Sequence, residues 1–363
     1  MPGSSIGQRL VLTSFGESHG ICVGAVLDGC PAGLELDEND IQKMLNLRKP
    51  GQSLVSTQRK EEDKVEILSG VFRGYTTGAP IAMIIWNADH DSRAYEQLKT
   101  KMRPGHSDYP ALIKYKKFND FRGGGRFSGR LTATHVMGGA IARKLLKTTL
   151  GIETNSYTLQ VGKIRMSKVT QQMMKMIYSN EVRCPDKNIA KKMQDIILAA
   201  RKKGDSLGGV IESVTTNLPV GLGEPIFGSL ESDLGKALFS IPAVKGIEFG
   251  SGFGGAEAFG SQNNDPYMVK NGKIVTKTNN AGGILGGLSN GMPIVLRIAF
   301  KPASSILKKQ TTIDIKTKKP TSLQVTGRHD PCVVPRAPPV VDSLVSLVLA
   351  DHALQGGFIK PVL

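Results

Sequence analysis

Strand-like and helix-like stretches of this chain come in groups, and that order limits its fold more than any other feature. Residues 10–13 and 21–27 read as short strands either side of a glycine-containing turn at 16–20. Residues 37–47 read as a helix with acidic residues in its first turn, ending before Pro50. Two further β-like runs, 64–72 and 80–86, are punctuated by Gly70, Gly74 and Gly78. Residues 89–129 have little periodicity and much Gly, Arg and His, so most of them are read as loops. A strong helix follows over 131–150, with a small-residue stripe (Ala133, Gly138, Gly139, Ala142) suited to close packing. Strands at 152–164, helices at 168–178 and 187–203, a strand at 209–216 and a helix at 233–239 come next. Asn271-Gly272 then marks a hairpin between 267–270 and 273–277. A strand at 292–300 and a final helix at 340–354 complete the pattern. Regular βαβ units are absent, which argues against a doubly wound parallel sheet. The expectation is an α+β fold with largely antiparallel sheets and surrounding helices. No internal repeat or linker divides it, so residues 1–363 are read as a single domain.

Composition narrows the class. With 40% hydrophobic and 21% charged residues, the chain resembles an ordinary globular protein. Its 42 glycines are clumped, which marks positions of unusual backbone angle or close ligand approach. The longest apolar runs, such as 81–86 and 345–350, are far too short to span a bilayer, so no membrane partner is expected. Residues 1–8 lack a charged and apolar leader pattern. Cys22, Cys30, Cys184 and Cys332 form no C-x-x-C pair and no zinc spacing, so reduced thiols, no metal and a cytoplasmic location are expected. A net charge of +16 favours anionic partners, either nucleic acid or a phosphorylated or carboxylated small molecule. Part of the excess is local: Lys114, Lys116, Lys117, Arg122, Arg126 and Arg130 share one short stretch. The lysines of 187–203 have helical spacing and read as a solvated face.

Six motifs carry candidate chemistry. Phe15-Gly16-Glu17-Ser18-His19-Gly20 holds a histidine on a tight turn at a strand end. Arg103-Pro104-Gly105-His106-Ser107-Asp108 places a second histidine beside Arg and Asp in a loop. Arg122-Gly123-Gly124-Gly125-Arg126-Phe127-Ser128-Gly129-Arg130 runs into a helix N-terminus, where free N–H groups, the helix dipole and forked arginines suit an anion. It has neither the Walker ending nor the dinucleotide G-x-G-x-x-G pattern. An RNA-binding Arg/Gly loop is the competing reading, weakened by the near absence of interleaved aromatics. Asn279-Asn280-Ala281-Gly282-Gly283-Ile284-Leu285-Gly286-Gly287 suggests backbone packed on a flat ligand. Lys301-Pro302-Ala303-Ser304-Ser305 offers a Lys and two hydroxyls at a strand end. Gly327-Arg328-His329-Asp330-Pro331-Cys332, followed by Pro335-Arg336-Ala337-Pro338, is a proline-stiffened loop whose ordering is costly unless it is used.

The first, third and last of these motifs resemble, in order, the three signatures of the chorismate synthase family. Pro31-Ala32-Gly33, Lys49-Pro50-Gly51, Leu68-Ser69-Gly70-Val71-Phe72, Ser240-Ile241-Pro242-Ala243-Val244-Lys245-Gly246 and Ala281-Gly282-Gly283 add support between them, so the resemblance spans Ile6 to about His352. It implies a β-α-β sandwich, a homotetramer and conversion of 5-enolpyruvylshikimate 3-phosphate to chorismate and phosphate. That is a 1,4-anti elimination, the last common step of the shikimate pathway, and it needs reduced FMN without net redox change. By the same resemblance, His19 assists the substrate phosphate with Ser18 beside it, and Ser128 joins the catalytic set. His106 manages protonation near the flavin ring, and Asp330 helps carry the abstracted proton near flavin N5. Arg48, Arg103, Arg130 and Arg328 are implied as clamps for phosphate and carboxylates. Flavin contacts are implied at Arg126, Phe127, Ser128, Pro242, Ala243, Gly286, Lys301, Pro302, Ala303, Ser304, Ser305 and Arg328. Arg48 and Leu54 match positions that meet NADPH in members able to reduce their own flavin.

Four departures bear on affinity. Leu54 stands where the family carries an arginine, removing one anion contact worth roughly 1.5–3 kcal/mol. Asn46 and Leu47 replace an acidic-basic pair, Phe127 replaces a small residue, and Leu131 replaces Glu. Two alternatives follow for the function: a flavin-binding member with weakened activity, or an RNA-binding protein using its basic surface. A redox flavoprotein without the elimination is a further rival.

Overall fold

The computed structural model describes residues 3–51, 55, 62–88, 93–167, 169–325 and 330–363. Two five-stranded sheets form the outer layers. The first contains β1 (Ser5–Ile6), β2 (Val11–Gly16), β3 (Cys22–Asp28), β4 (Glu66–Ile67) and β5 (Ile81–Trp86), in the order β1-β2-β3-β5-β4. The second contains β6 (Glu153–Val161), β7 (Ile164–Arg165), β8 (Gly209–Thr216), β9 (Val244–Phe249) and β10 (Ile294–Phe300), in the order β9-β10-β8-β6-β7. Every pairing in both sheets is antiparallel.

The expected α+β class is therefore what the molecule shows, and the position of its helices follows from their sequences. α1 (Glu38–Arg48) starts on an Asp37 capping box, α3 (Thr132–Leu150) ends on left-handed Gly151, and α6 (Pro338–Gln355) opens with prolines at its first turn. The short α2 is Asp108–Lys114, and α4 (Lys187–Lys202) and α5 (Leu230–Leu238) lie between α3 and α6 in the chain. Helix α6 is buried on all sides from Pro338 to Ala353, as befits a helix with apolar residues on every face and only a few polar ones, Asp342, Ser343, Ser346, Asp351 and His352, among them. It packs on α3 and on β6, while α3 also packs on β2 and β3, so α3 and α6 form a layer between the sheets. The small-residue stripe makes this approach feasible. A Cβ on Gly139 would lie 2.2 Å from the Ser343 side chain, and one on Gly138 would lie 2.4 Å from Leu12. Surrounding helices thus describe α4, with its solvated lysine face, better than these two.

Alternation decides which sheet face is inward. Along β10, Ile294, Leu296, Ile298 and Phe300 are buried, and they align with Ser213, Ile211 and the Thr154, Ser156 and Thr158 side of β6. On the other face Arg297 bridges Glu212 and Glu248. One hydrophobic cluster runs from Leu10 to Ile359 through both sheets and the helices. The C-terminal helix also holds the N-terminal turn: the Asp351 carboxylate accepts N–H bonds from Gln8, Arg9 and Leu10 at 2.7–2.9 Å. Among the described residues no helix is long and apolar enough to cross a membrane.

Three local expectations are corrected. The stretch read as loops at 89–129 contains 3-10 segments at Arg93–Lys99 and Arg122–Phe127 and the short α2, which has acidic Asp108 in its first turn and buries Ala111. The helix expected at 168–178 reduces to Gln171–Met174 and a following 3-10 turn. The strand expected at 64–72 is broken into Glu66–Ile67 and Val71–Phe72 by Gly70, whose positive φ leads the chain out of the sheet.

Candidate active site

The cleft forms where loops from both sheets meet the ends of the central helices, and it encloses about 580 Å³. Its walls come from the end of α1, the loop before α2, the turn leading into α3, the loop before β9, the exit of β10 and the turn before α6. Among the described residues seven cations line it, Arg48, Arg103, Arg126, Arg130, Lys245, Lys301 and Arg336, against the carboxylate of Asp330. Such a focused positive field selects an anionic ligand, and its concavity suits a small molecule.

One wall is braced by Asp63, whose side chain is fully buried. Arg48 Nη1 donates to Asp63 Oδ2 at 2.6 Å, and Arg130 Nη1 donates to Oδ1. The remaining edges of Arg48 donate to Thr132 Oγ1 at 3.1 Å and to the Gly129 carbonyl at 3.3 Å. Arg130 Nε donates to Asn87 Oδ1 at 3.1 Å. Burial works against the charge of Asp63, but Arg48 and Arg130 outweigh it and hold the carboxyl below the usual range. Burial pushes Arg48 down to about 10 despite the pull of Asp63, with Arg336 and Arg130 adding repulsion.

The opposite wall is braced by Asp108. Arg103 donates to it from Nε at 2.8 Å and Nη2 at 2.7 Å, and donates from Nη1 to Ser305 Oγ at 3.0 Å. His106 Nδ1 lies 2.6 Å from Asp108 Oδ1 and 3.0 Å from Arg103 Nη2. One nitrogen cannot donate to the first and accept from the second. The ionised carboxylate is nearer, so Nδ1 carries the hydrogen and Nε2 is left for the cleft, close to Gly124. Burial opposes ionisation of Asp108, yet its bonds from Arg103 and His106 place the carboxyl well below the usual range. Lys301 Nζ and Ser304 Oγ both donate to the Gly105 carbonyl, fastening this loop to the end of β10.

Ser18 and His19 stand behind Gly123, on the turn between β2 and β3. A Cβ on Gly123 would fall 2.1 Å from His19 Nδ1 and 2.8 Å from Ser18 Oγ, so only glycine lets this turn cover them. Gly123, Gly124 and Gly125 all take positive φ, the reason for three glycines in a row. His19 packs edge-on against Tyr95 at 5.1 Å, and Ser18 Oγ is buried without a hydrogen-bond partner among the described residues. Ser128 caps the turn into α3 by accepting from Arg130 N–H at 3.3 Å.

Most of the residues singled out from the sequence converge here. Arg48, Arg103, His106, Arg126, Phe127, Ser128, Arg130, Pro242, Ala243, Lys301 through Ser305, and Asp330 line the cleft, with Ser18 and His19 directly behind it. Asp330 is paired to Arg336 Nη1 at 2.6 Å. Gly286 is not among the lining residues: it is exposed in the tight turn between Leu285 and Leu288. Arg328 and Leu54 lie outside the described residues. Sequence reasoning missed Asp63, Asn87, Thr132 and the brace role of Asp108. Asp108 had a signal, standing two positions after His106; Asp63 had none, being 15 and 67 positions from its two partners.

A basic cleft, braced by carboxylates and roofed by a glycine turn, defines an enzyme site for an anionic small molecule. Known proteins name that class more closely. A sequence profile of the chorismate synthase family matches residues 10–354. The chain is 53% identical to the chorismate synthase of Korarchaeum cryptofilum over 356 residues, 98% of each chain. It is 51% identical to that of Dehalococcoides mccartyi over 361 residues, 99% of each, and 51% identical to that of Methanocaldococcus jannaschii over 372, covering 99% and 98%. A crystal structure of chorismate synthase superposes with a TM-score of 0.76 at 30% identity, covering 96% of this chain and 93% of that one. The chain belongs to the chorismate synthase family, and it is a chorismate-forming lyase of aromatic biosynthesis.

Proposed function

We propose that the enzyme makes chorismate by expelling phosphate from 5-enolpyruvylshikimate 3-phosphate, a 1,4-anti elimination assisted by reduced FMN. The observation that carries this reading is the convergence of the two histidines, the braced arginines and Asp330 on one cleft. The cleft fits a flavin in kind. Its lining includes apolar Phe127, Pro242, Ala243, Pro302 and Ala303 and polar Lys301, Ser304 and Ser305, the mixture that a ring system with a phosphate tail would need. When bound there, reduced flavin would supply electron density to the substrate ring as phosphate leaves.

The chain's own residues do the rest. Arg48, Arg103 and Arg130 bind the phosphate and carboxylates of the substrate, together with Arg328 by resemblance. Their carboxylate braces fix the forks before substrate arrives, so binding its anionic groups needs no reorganisation of the arginines. Arg48 already directs three of its donor edges inward, so its share is chiefly its charge. Ser18 and His19 donate to the leaving phosphate, and His106, anchored at Nδ1, offers Nε2 for proton transfer. Asp330, 2.6 Å from Arg336 Nη1, helps carry the ring proton. One C–H and one C–O bond break, a ring double bond forms, and the electron count is unchanged.

NADPH as reductant, met at Arg48 and Leu54, is part of the same proposal, as are a cytoplasmic location and a homotetramer. The tetramer reading draws on the number of exposed large apolar side chains between positions 226 and 274: Ile226, Phe227, Phe253, Phe259, Tyr267, Val269 and Ile274. The function is tested by anaerobic incubation with reduced FMN and substrate. Chorismate and phosphate in equal amounts are expected, with His19→Ala and His106→Ala binding flavin but slowed in turnover. An active variant removes that residue's role. Product with stoichiometric flavin oxidation would favour a redox flavoprotein. A second arm with oxidised FMN and NADPH shows whether the enzyme reduces its own flavin.

A further inference from the structure

We infer that Asp63 is a positioning residue of the substrate subsite, setting the guanidiniums of Arg48 and Arg130 side by side. The inference rests on the proposal that these two arginines bind substrate anions. Three observations carry it. Each oxygen of the Asp63 carboxylate takes a different arginine, one from the end of α1 and one from the turn before α3. Without a shared counter-charge, two buried guanidiniums this close would repel and splay apart. Arg336 adds a third positive charge acting on both Asp63 and Arg48, so the carboxylate holds together a cluster that stays net positive.

The backbone is built to deliver that carboxylate. Asp63 has φ +51, a left-handed conformation that a residue with a Cβ keeps only when its surroundings impose it. Gln42 of α1 imposes it: its Nε2 donates to the Asp63 carbonyl at 3.1 Å and its Oε1 accepts from Val65 N–H at 3.0 Å. The same helix therefore supplies Arg48 and fixes the carboxylate that orients it. A site left net positive and rigid is prepared for a phosphate or carboxylate group; an Asp63 that served stability alone would have no effect on anion affinity.

The test is the kinetics of anaerobic chorismate formation by Asp63→Asn and Asp63→Glu, alongside protection of each folded protein by inorganic phosphate in thermal unfolding. Asp63→Asn removes the shared charge and is expected to raise the substrate KM at least about tenfold while kcat changes less than about threefold. Asp63→Glu keeps the charge but moves it by one methylene, and a KM between those of the wild type and Asp63→Asn is expected. Phosphate protection should weaken in the same order. Wild-type KM in a folded Asp63→Asn protein overturns the inference. If that variant does not fold, Asp63→Glu decides: a raised KM supports positioning, and an unchanged one overturns it. Should the wild type form no chorismate, the functional reading fails instead. Phosphate protection then decides on Asp63 by itself, and equal protection in wild type and variant overturns its role.

Discussion

The two carboxylate braces of the cleft solve the same problem with different partners. Asp63 is fully buried and holds two arginines that stay charged at any physiological pH. Asp108 retains 12% exposure and holds one arginine and one histidine, a group that can change charge. The first brace can set position but cannot move a proton. The second can orient a proton-transfer group. The contrast teaches that one carboxylate serves binding alone, while the other couples a binding arginine to a proton-handling histidine.

The largest expected effect breaks the buried brace. Arg130→Met removes one of two cations from Asp63 and is expected to cost about 3–5 kcal/mol of unfolding free energy in urea titration. A cost below about 1 kcal/mol would mean that the buried brace is no stronger than a surface pair. Next comes Asp108→Asn. It removes the anchor charge from His106 and is expected to lower kcat at least about tenfold. Steady-state rates at saturating substrate would show it, and an unchanged kcat would detach His106 from proton transfer.

A pH series compares the braces in one experiment. Both carboxyls are held below their ordinary range in the folded protein. Each therefore contributes stability that is full above the unfolded value, about 4, and is lost as pH falls through the depressed folded value. Unfolding free energy should fall on acidification below that point, and Asp108→Asn should flatten the fall. A variant curve parallel to the wild type would contradict this. The smallest effect is that of Ser305→Ala, which deletes one hydrogen bond to Arg103. It should cost about 0.5–1.5 kcal/mol and leave kcat within about threefold.

How far the sequence revealed this arrangement depended on the range of the interactions. Local signals were read well. The Asp37 cap of α1, the Asn271-Gly272 hairpin, the strand Gly209–Thr216 and the helix Lys187–Lys202 rest on neighbours a few residues apart. The local motifs, signature or not, led to both histidines and most of the cleft arginines. Asp63 was invisible because its meaning comes from two arginines distant in the chain. Val244–Phe249, only the first three residues of which fall in a quoted motif, is not legible as a strand because only pairing with Ile294–Phe300 makes it one. The buried position of α3 and α6 was partly legible in their small and apolar residues. That they lie between two sheets depends on tertiary packing.

The division between the braces is tested most directly by measuring KM and kcat for Asp63→Asn and Asp108→Asn side by side, anaerobically with reduced FMN. The account predicts that the first raises KM with little change in kcat, and the second lowers kcat and, because Asp108 also holds Arg103, raises KM as well. A kcat unchanged in Asp108→Asn, or lowered equally in both variants, would contradict it.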